Sequence, residues 1–196
     1  MNKEILRQTF FISNRQIATL GVCVALALVL SLFTLLFTAV AAPMAIELTF
    51  FTYLIAWKKT NVFYAIVVLT MSTWMRLLYI PDGFGIAGVL TLYIADLSQF
   101  TFFIIGWYVL GIIKSLNTEK SLVKFILAYL FAIIFTIIIM AIFTIYFLVP
   151  VLLPQLIVEG TNWQMYYFIS GIIGNTVKYS VNLAIFIPIY LKISKL

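Results

Sequence analysis

Three ionisable side chains, Arg76, Asp96 and Lys178, lie inside long apolar stretches of this sequence. Lys178 is the most informative, because its apolar run continues to Lys192, roughly 21 Å further along a helix that rises 1.5 Å per residue. A lysine stem is too short to carry its ammonium back over that distance. Charges held at such depth are costly and usually face a cavity or a partner. We therefore expect Lys178 and Asp96 to face the interior of the protein.

Asn175 precedes Lys178 by three positions, so the two side chains share one face of a helix. Together they supply several hydrogen-bond donors and one acceptor. That combination suits a small polar molecule with carbonyl groups or ring nitrogens. No carboxylate cluster accompanies the two residues, so we predict no metal site.

The same residues allow a purely structural outcome. Asp96 could form a buried pair with Lys178 or with Arg76 that only orients the helices. Arg76 lies near the outer end of its apolar segment, so its side chain could also extend to the membrane surface.

The composition places the elements around these residues in a bilayer. Of 196 residues, 65% are hydrophobic and 9% are charged, whereas about a quarter of a soluble domain is charged. We expect one all-α integral membrane domain over residues 1–196. The single cysteine, Cys23, excludes a disulfide framework, and the absence of histidine excludes histidine catalysis.

Enzymatic chemistry has little support in the sequence. The P-loop pattern GxxxxGK[ST] is absent, so ATP is not bound by that route. If the chain were an intramembrane enzyme, only Asp96 and Lys178 could serve as its catalytic residues. We predict no catalytic residues and no resident cofactor.

Apolar segments predict a bundle of six transmembrane helices. The predicted spans are 17–40, 44–57, 62–80, 84–113, 124–150 and 163–191. The second is short and could be broken or tilted. Pro81 and Gly83 favour a loop before the fourth helix, and Pro150 and Pro154 are predicted to end the fifth.

The charges divide between the two sides of this six-span topology. The residues predicted on one side are Lys3, Arg7, Arg15, Lys58, Lys59, Lys114, Lys120, Lys124, Lys192 and Lys195. The other side carries Glu47, Asp82 and Glu159, and no basic residue unless Arg76 reaches it. The positive-inside rule then places the N and C termini in the cytoplasm. Because the net charge of +6 follows the topology, we predict no nucleic-acid partner.

Several segments, in order, resemble the substrate-binding S components of energy-coupling factor (ECF) vitamin transporters, most closely the riboflavin-binding RibU group. The resemblance covers nearly the whole chain. The segments are RQIATLGVCVALALVLS, PMAIELTFFTYLIAW, FGIAGVLTLYIADLSQFTFFIIGWYVLGIIK, MAIFTIYFLVP and GNTVKYSV.

The resemblance implies a function in uptake. An S component captures one water-soluble vitamin from outside the cell and docks on a T subunit, which two ABC ATPase subunits drive. The chain would then be a multi-pass protein of a bacterial cytoplasmic membrane that hydrolyses nothing itself. Heavy use of Ile, Phe, Tyr and Asn is typical of an AT-rich bacterial genome.

The resemblance also implies the site residues. Asn175 and Lys178 would bind the substrate from the sixth helix. The first loop and second helix would add Glu47, Leu48 and Thr49. Thr144 stands where the fifth-helix pattern has asparagine, Ala45 stands where a basic residue is frequent, and Asp96 has no assigned counterpart in the family.

Small residues recur at four-residue spacing in the first helix, and such spacing lets helices approach closely in lipid. In the family, a surface of this kind docks the T subunit. The resemblance therefore assigns Gly21, Ala25 and Ala27 to docking, while packing within the chain is the alternative.

The residues alone do not determine which vitamin is bound. Riboflavin offers carbonyls, a ring N–H and hydroxyls to Asn175 and Lys178, with aromatic and aliphatic side chains covering its rings. Pantothenate or folate would bring a carboxylate to Lys178, which charge alone favours. The family likeness selects riboflavin as the transported ligand. A stand-alone secondary carrier is the remaining alternative, although no inverted repeat is evident.

Overall fold

The computed structural model describes residues 12–38, 48–78, 85–113, 122–157 and 159–193, and the secondary structure of these residues is helical. Six α-helices occur within them, in the order predicted from the sequence. They are α1 (Asn14–Thr38), α2 (Phe50–Lys59), α3 (Val62–Trp74), α4 (Gly85–Gly111), α5 (Leu122–Phe143) and α6 (Trp163–Ile193). Short 3₁₀ segments at Met75–Leu78 and Pro154–Leu156 and a π-helix at Thr144–Leu152 complete the described helical structure.

Four helical segments of the described chain are long and apolar enough to cross a membrane. These segments are Asn14–Leu32, Gly85–Gly111, Leu122–Leu152 and Trp163–Tyr190. Val62–Leu78 is apolar but shorter, and α2 has 10 residues. The all-helical, membrane-compatible architecture is therefore confirmed, whereas the count of six spans and the cytoplasmic termini stay predictions.

The fifth helical segment ends at Leu152, between the two prolines that are predicted to end it, and Pro150 lies inside its last turns. The α-helical turns of α5 end at Phe143, and the chain continues as a π-helix that contains Pro150 and ends at Leu152. In an α-helix, the proline ring would clash with the carbonyl four residues earlier. The wider π turn accommodates that ring, and Pro154 then begins the 3₁₀ segment.

Local sequence signals determine where three helices begin. Ser13 and Gln16 form a reciprocal capping box before α1, with the Ser13 amide 2.9 Å from Gln16 Oε1 and the Gln16 amide 3.3 Å from Ser13 Oγ. Asn61 accepts the Tyr64 amide at 3.0 Å before α3, and Asn162 accepts the Met165 amide at 3.1 Å before α6. Each cap satisfies amides that have no partner within the helix.

Helices α4 and α5 approach each other closely at Gly106. A Cβ atom placed on Gly106 would lie 3.1 Å from Phe131 and 3.3 Å from the Ala128 backbone. One turn away, Phe102 stacks on Phe135 with 5.0 Å between ring centroids. These contacts set the antiparallel register of the two helices, which matters for the buried polar residues described below.

Two lysines converge on one indole ring where α2, α4 and α5 meet. The ammonium of Lys58 lies 4.2 Å from the Trp107 ring centroid, and that of Lys124 lies 4.3 Å from it. Lys124 is only 5% exposed, so this basic residue is not simply a solvated charge at a helix end. The indole face stabilises the two ammonium groups.

Candidate functional site

A buried ion pair joins α4 to α6. Lys178 Nζ lies 2.8 Å from Asp96 Oδ1, and the two residues are 5% and 1% exposed. Both residues lie near the middle of their helices, Asp96 about 16 Å from the start of α4 and Lys178 about 22 Å from the start of α6 at 1.5 Å per residue. The structure therefore brings together the two ionisable residues that the sequence placed deepest.

Tyr179 extends this ion pair into a hydrogen-bonded network, and Asn182 bonds the helix backbone beside it. The hydroxyl of Tyr179 donates to Asp96 Oδ1 at 3.0 Å, so one carboxylate oxygen accepts both an ammonium and a phenol. The Lys178 ammonium also lies 5.1 Å from the Tyr179 ring centroid. Asn182 donates to the Lys178 carbonyl at 2.8 Å and is 1% exposed. The Tyr179 hydroxyl and the Lys178 ammonium compensate for part of the hydration that the Asp96 carboxylate loses.

The Asp96–Lys178 pair, which the sequence left open as a structural alternative, is thus present. Arg76 belongs to the 3₁₀ segment after α3 and is 4% exposed. Its side chain is therefore buried within the protein, and the alternative in which it extends to the membrane surface stays untested.

Asn175 occupies a different environment from Lys178. Its side-chain amide donates to the Gly171 carbonyl at 2.9 Å, within its own helix, and the residue is half-buried. The predicted binding of one solute by both side chains stays a prediction. That bond uses one N–H of the amide and leaves the second N–H and the oxygen outside it.

The loop residues implied by the resemblance lie near the start of α2. Glu47 lies outside the described residues. Leu48 is half-buried, and Thr49 is 2% exposed with a hydroxyl that has no hydrogen-bond partner. The next residue, Phe50, meets the Tyr179 ring edge-on at 5.7 Å between centroids, which brings this end of α2 against the Lys178 network.

Thr144 is the first residue of the π-helix and is half-buried. A π-helix has a wider turn than an α-helix and often occurs at functional positions. The residue therefore lies where α5 changes from α-helical to π-helical winding.

Three buried polar residues that the sequence reasoning missed lie around the network. Gln99 and Thr136 are 0% exposed, as is Tyr129. Both amide atoms of Gln99 and both hydroxyls have no hydrogen-bond partner. Gln99 could have been found, because it follows Asp96 by three positions and shares its helix face. Thr136 and Tyr129 carry no comparable sequence signal.

The residues assigned to docking divide between two environments. Gly21 and Ala25 are exposed and line an apolar groove of about 450 Å³ between α1 and α3. Ala27 is 0% exposed and belongs to the core of the chain. The structure therefore places Ala27 in packing within the chain, as the alternative held, and leaves Gly21 and Ala25 on the surface.

A second groove, of about 620 Å³, is lined by residues that include Trp57, Asn61 and Tyr108. Neither groove is lined by Asp96 or Lys178. Among the described residues, no three His, Cys, Asp or Glu side chains gather in a way that could hold a metal ion.

Comparisons of the chain with protein-family models, with curated proteins and with solved structures return no match.

Proposed function

We propose that this chain is the substrate-binding S component of an ECF-type importer, which captures riboflavin outside a bacterial cytoplasmic membrane for ATP-driven uptake. In this proposal the chain crosses the membrane six times with both termini in the cytoplasm. The observation that carries the proposal is the buried Asp96–Lys178 network, set among polar groups in the middle of an otherwise apolar helical bundle.

The cost of that network supports a role beyond packing. Charged groups inside a membrane bundle are expensive, and they commonly mark the path or binding site of a polar solute. Apolar side chains of similar volume would hold the helices together at least as well as a buried ion pair. Retaining an acid, an amine and several polar side chains in this position is consistent with recognition of a solute.

The chain would bind substrate while other proteins supply energy. We propose a T subunit and two ABC ATPase subunits as partners, since this sequence has no P-loop of its own. The exposed groove that contains Gly21 and Ala25 offers the small residues that close helix contacts in lipid require. Transport by this assembly needs no catalytic residue in the chain.

The proposal is tested by purifying the protein in detergent from cells grown in rich medium, then measuring flavin absorbance and fluorescence after denaturation. We expect close to one flavin per chain, with loss of flavin in Lys178→Ala and Asn175→Ala. A protein that carries no flavin and whose tryptophan fluorescence does not respond to added riboflavin would contradict riboflavin as substrate. Pantothenate and folate would then be the next vitamins to measure.

A stand-alone secondary carrier is the second candidate, because polar groups near the middle of a bundle are also typical of such proteins. Reconstitution in liposomes distinguishes the two. Uptake that requires the T subunit, the ATPases and ATP supports an S component. Uptake by the chain alone, driven by an ion gradient, identifies a secondary carrier.

A further inference from the structure

Basic residues gather at one end of the helical bundle, where α1, α3 and α5 begin and α2, α4 and α6 end. Gln16 Nε2 donates to the Lys59 carbonyl at 3.2 Å, which places the start of α1 beside the end of α2. Phe125 stacks on Tyr190 with 4.6 Å between ring centroids, which places the start of α5 beside the end of α6. The two lysine contacts of the Trp107 ring join the end of α4 to the same region.

The charge of this end is positive over the part of the chain that the structure describes. Its basic residues include Arg15, Lys58, Lys59 and Lys124. The acidic residues that the structure describes lie elsewhere, Asp96 in the middle of α4 and Glu159 beyond the far end of α5. A surface with charges of one sign attracts molecules of the opposite charge.

An open groove of about 620 Å³ lies at this end, at the junction of α2 and α3 and beside α4. Thr60 and Asn61, between the two helices, form its polar part, whereas Phe63 and Ile66 in the first turns of α3 are apolar. Phe63 is 45% exposed and Tyr108, on the α4 side, is 64% exposed. The groove therefore opens on the outer surface of the bundle.

Two lysines adjoin the polar part of this groove. Lys59 immediately precedes Thr60, and its side chain is exposed. The Lys58 ammonium lies 4.5 Å from the ring centroid of Trp57, which lines the groove. We call the groove together with Lys58 and Lys59 the basic groove. Ammonium groups at its polar part and an apolar remainder match an amphipathic molecule with an anionic head.

We propose that the basic groove binds an anionic phospholipid, with the headgroup phosphate at Lys58 and Lys59 and an acyl chain along Phe63 and Ile66. Basic pockets between transmembrane helices bind anionic headgroups in this way. The positive-inside rule predicts this end on the cytoplasmic side, where the leaflet carries anionic lipids. The inference goes beyond the proposed function and does not depend on the substrate.

The tryptophans of the chain allow a direct test. Of the four, Trp57 lines the groove and Trp107 lies 5.4 Å from it between ring centroids. Trp74 ends α3 and Trp163 begins α6, so both belong to the opposite end of the bundle. Replacing Trp74 and Trp163 by phenylalanine gives a parent protein whose remaining fluorophores lie at the groove.

The full-length parent protein is reconstituted in phosphatidylcholine vesicles that contain increasing fractions of dibrominated phosphatidylglycerol or, in parallel, dibrominated phosphatidylcholine. Bromine on an acyl chain quenches tryptophans in contact with that chain, so the two titrations give the relative affinity of the groove for the anionic lipid. Because each ratio compares two lipids in the same protein, a change in tryptophan brightness caused by a lysine substitution cancels.

The variants are Lys58→Gln, Lys59→Gln and the double substitution. Arg15→Gln is the matched control, because it removes one exposed positive charge from the same end but lies outside the groove lining. We expect the parent protein to prefer phosphatidylglycerol by about tenfold or more. Each lysine substitution should lower that preference by roughly fivefold, the contribution of one basic residue near a membrane surface. The double variant should lose it, and Arg15→Gln should change it by less than about twofold.

Three results would overturn the inference. Equal quenching of the parent protein by the two lipids would show ordinary lipid contact, and this comparison holds even where Lys58→Gln folds poorly. A preference that the double variant retains, or that Arg15→Gln lowers as much as Lys59→Gln does, would show that the groove does not select the lipid. Quenching by both lipids that falls as the protein-to-lipid ratio rises would show that a second copy of the chain covers the groove.

Discussion

The ammonium of Lys178 lies 2.8 Å from the carboxylate of Asp96, although 82 positions separate the two residues in the chain. Each side chain is nearly inaccessible, and each comes from the middle of a long helix. The pair thus ties α4 to α6 inside the bundle. Tyr179, which donates to the same carboxylate oxygen, is the residue after Lys178 in α6.

Breaking the ion pair from one side should be far more damaging than replacing it whole. Lys178→Met or Asp96→Leu leaves one buried charge without its counterion, and we expect each to lower the free energy of unfolding by about 3–5 kcal/mol. The double variant should recover most of that loss, because no uncompensated charge remains. Unfolding of the four proteins with increasing SDS in mixed micelles gives the coupling energy.

Lys59→Met is the matched control, since Lys59 is exposed at the end of α2. It should change stability by less than about 0.5 kcal/mol, as surface substitutions usually do. Additive losses in the double variant would mean that the two side chains are not coupled in the folded protein.

The Tyr179 hydroxyl should contribute measurably through its bond to Asp96. Tyr179→Phe removes a buried donor to a charged acceptor at 3.0 Å and keeps the ring that packs against Phe50. We expect a loss of about 1.5–3 kcal/mol, the range for hydrogen bonds to charged groups. The same SDS titration measures it.

Tyr166→Phe provides the comparison, because Tyr166 lies on the same helix and is 64% exposed. Its stability should match that of the wild type. If the two substitutions behave alike, the contact between Tyr179 and Asp96 does not stabilise the fold.

Close packing at Gly106 predicts an unusual response to a single methyl group. In Gly106→Ala the new Cβ would lie 3.1 Å from the Phe131 ring and 3.3 Å from the Ala128 backbone, so these neighbours must shift by a few tenths of an ångström. Overpacking of this kind costs about 1–3 kcal/mol. Thermal unfolding in detergent, followed by circular dichroism, should show a lower midpoint.

Gly171→Ala is the matched control on α6, where an added Cβ meets no atom within 4 Å. Alanine favours a helix interior over glycine by roughly 0.5–1 kcal/mol, so this variant should equal or exceed the wild type in stability. A Gly106→Ala protein as stable as Gly171→Ala would contradict the close helix approach.

The two alanines of α1 should respond differently to tryptophan. Ala25→Trp fills the exposed groove, so we expect loss of T-subunit assembly with riboflavin binding retained. Ala27→Trp inserts a large ring into a fully buried position, so we expect an unstable protein. Co-purification with the T subunit, together with ligand binding, distinguishes these effects.

Ile134→Trp controls for added bulk on a lipid-facing surface, because Ile134 is 59% exposed on α5. It should preserve both assembly and ligand binding. Assembly that survives Ala25→Trp would show that the groove between α1 and α3 is not the docking surface.

The positions of the helices were largely predictable, because hydrophobic runs, caps and turn residues act over short distances along the chain. The segment around Pro150 is the exception. Pro150 is a reliable helix breaker in an α-helix, yet here the chain winds into a π-helix around it. That outcome depends on how Thr144–Leu152 packs against its neighbours, which local propensity does not contain.

The candidate site was predictable only in part. The depth of Lys178 and Asp96 follows from the length of the apolar runs around them, so the sequence identified both residues as unusual. It also grouped Asn175 with Lys178 by helical spacing, whereas the Asn175 amide binds the Gly171 carbonyl instead. Helical spacing determines which side chains share a face. It does not determine their hydrogen bonds, because backbone carbonyls of the same helix can accept from these side chains.

The sequence by itself determined that this protein is helical and apolar, and that two opposite charges lie far from any helix end. Tertiary structure decided that these charges meet, that Gln99 is buried beside them, and that Ala27 is covered while Ala25 is exposed. The physical reason is the separation along the chain over which each kind of interaction acts. Hydrophobic runs and caps act between residues that are close along the chain, whereas an ion pair across 82 positions exists only after the helices have packed in a particular register.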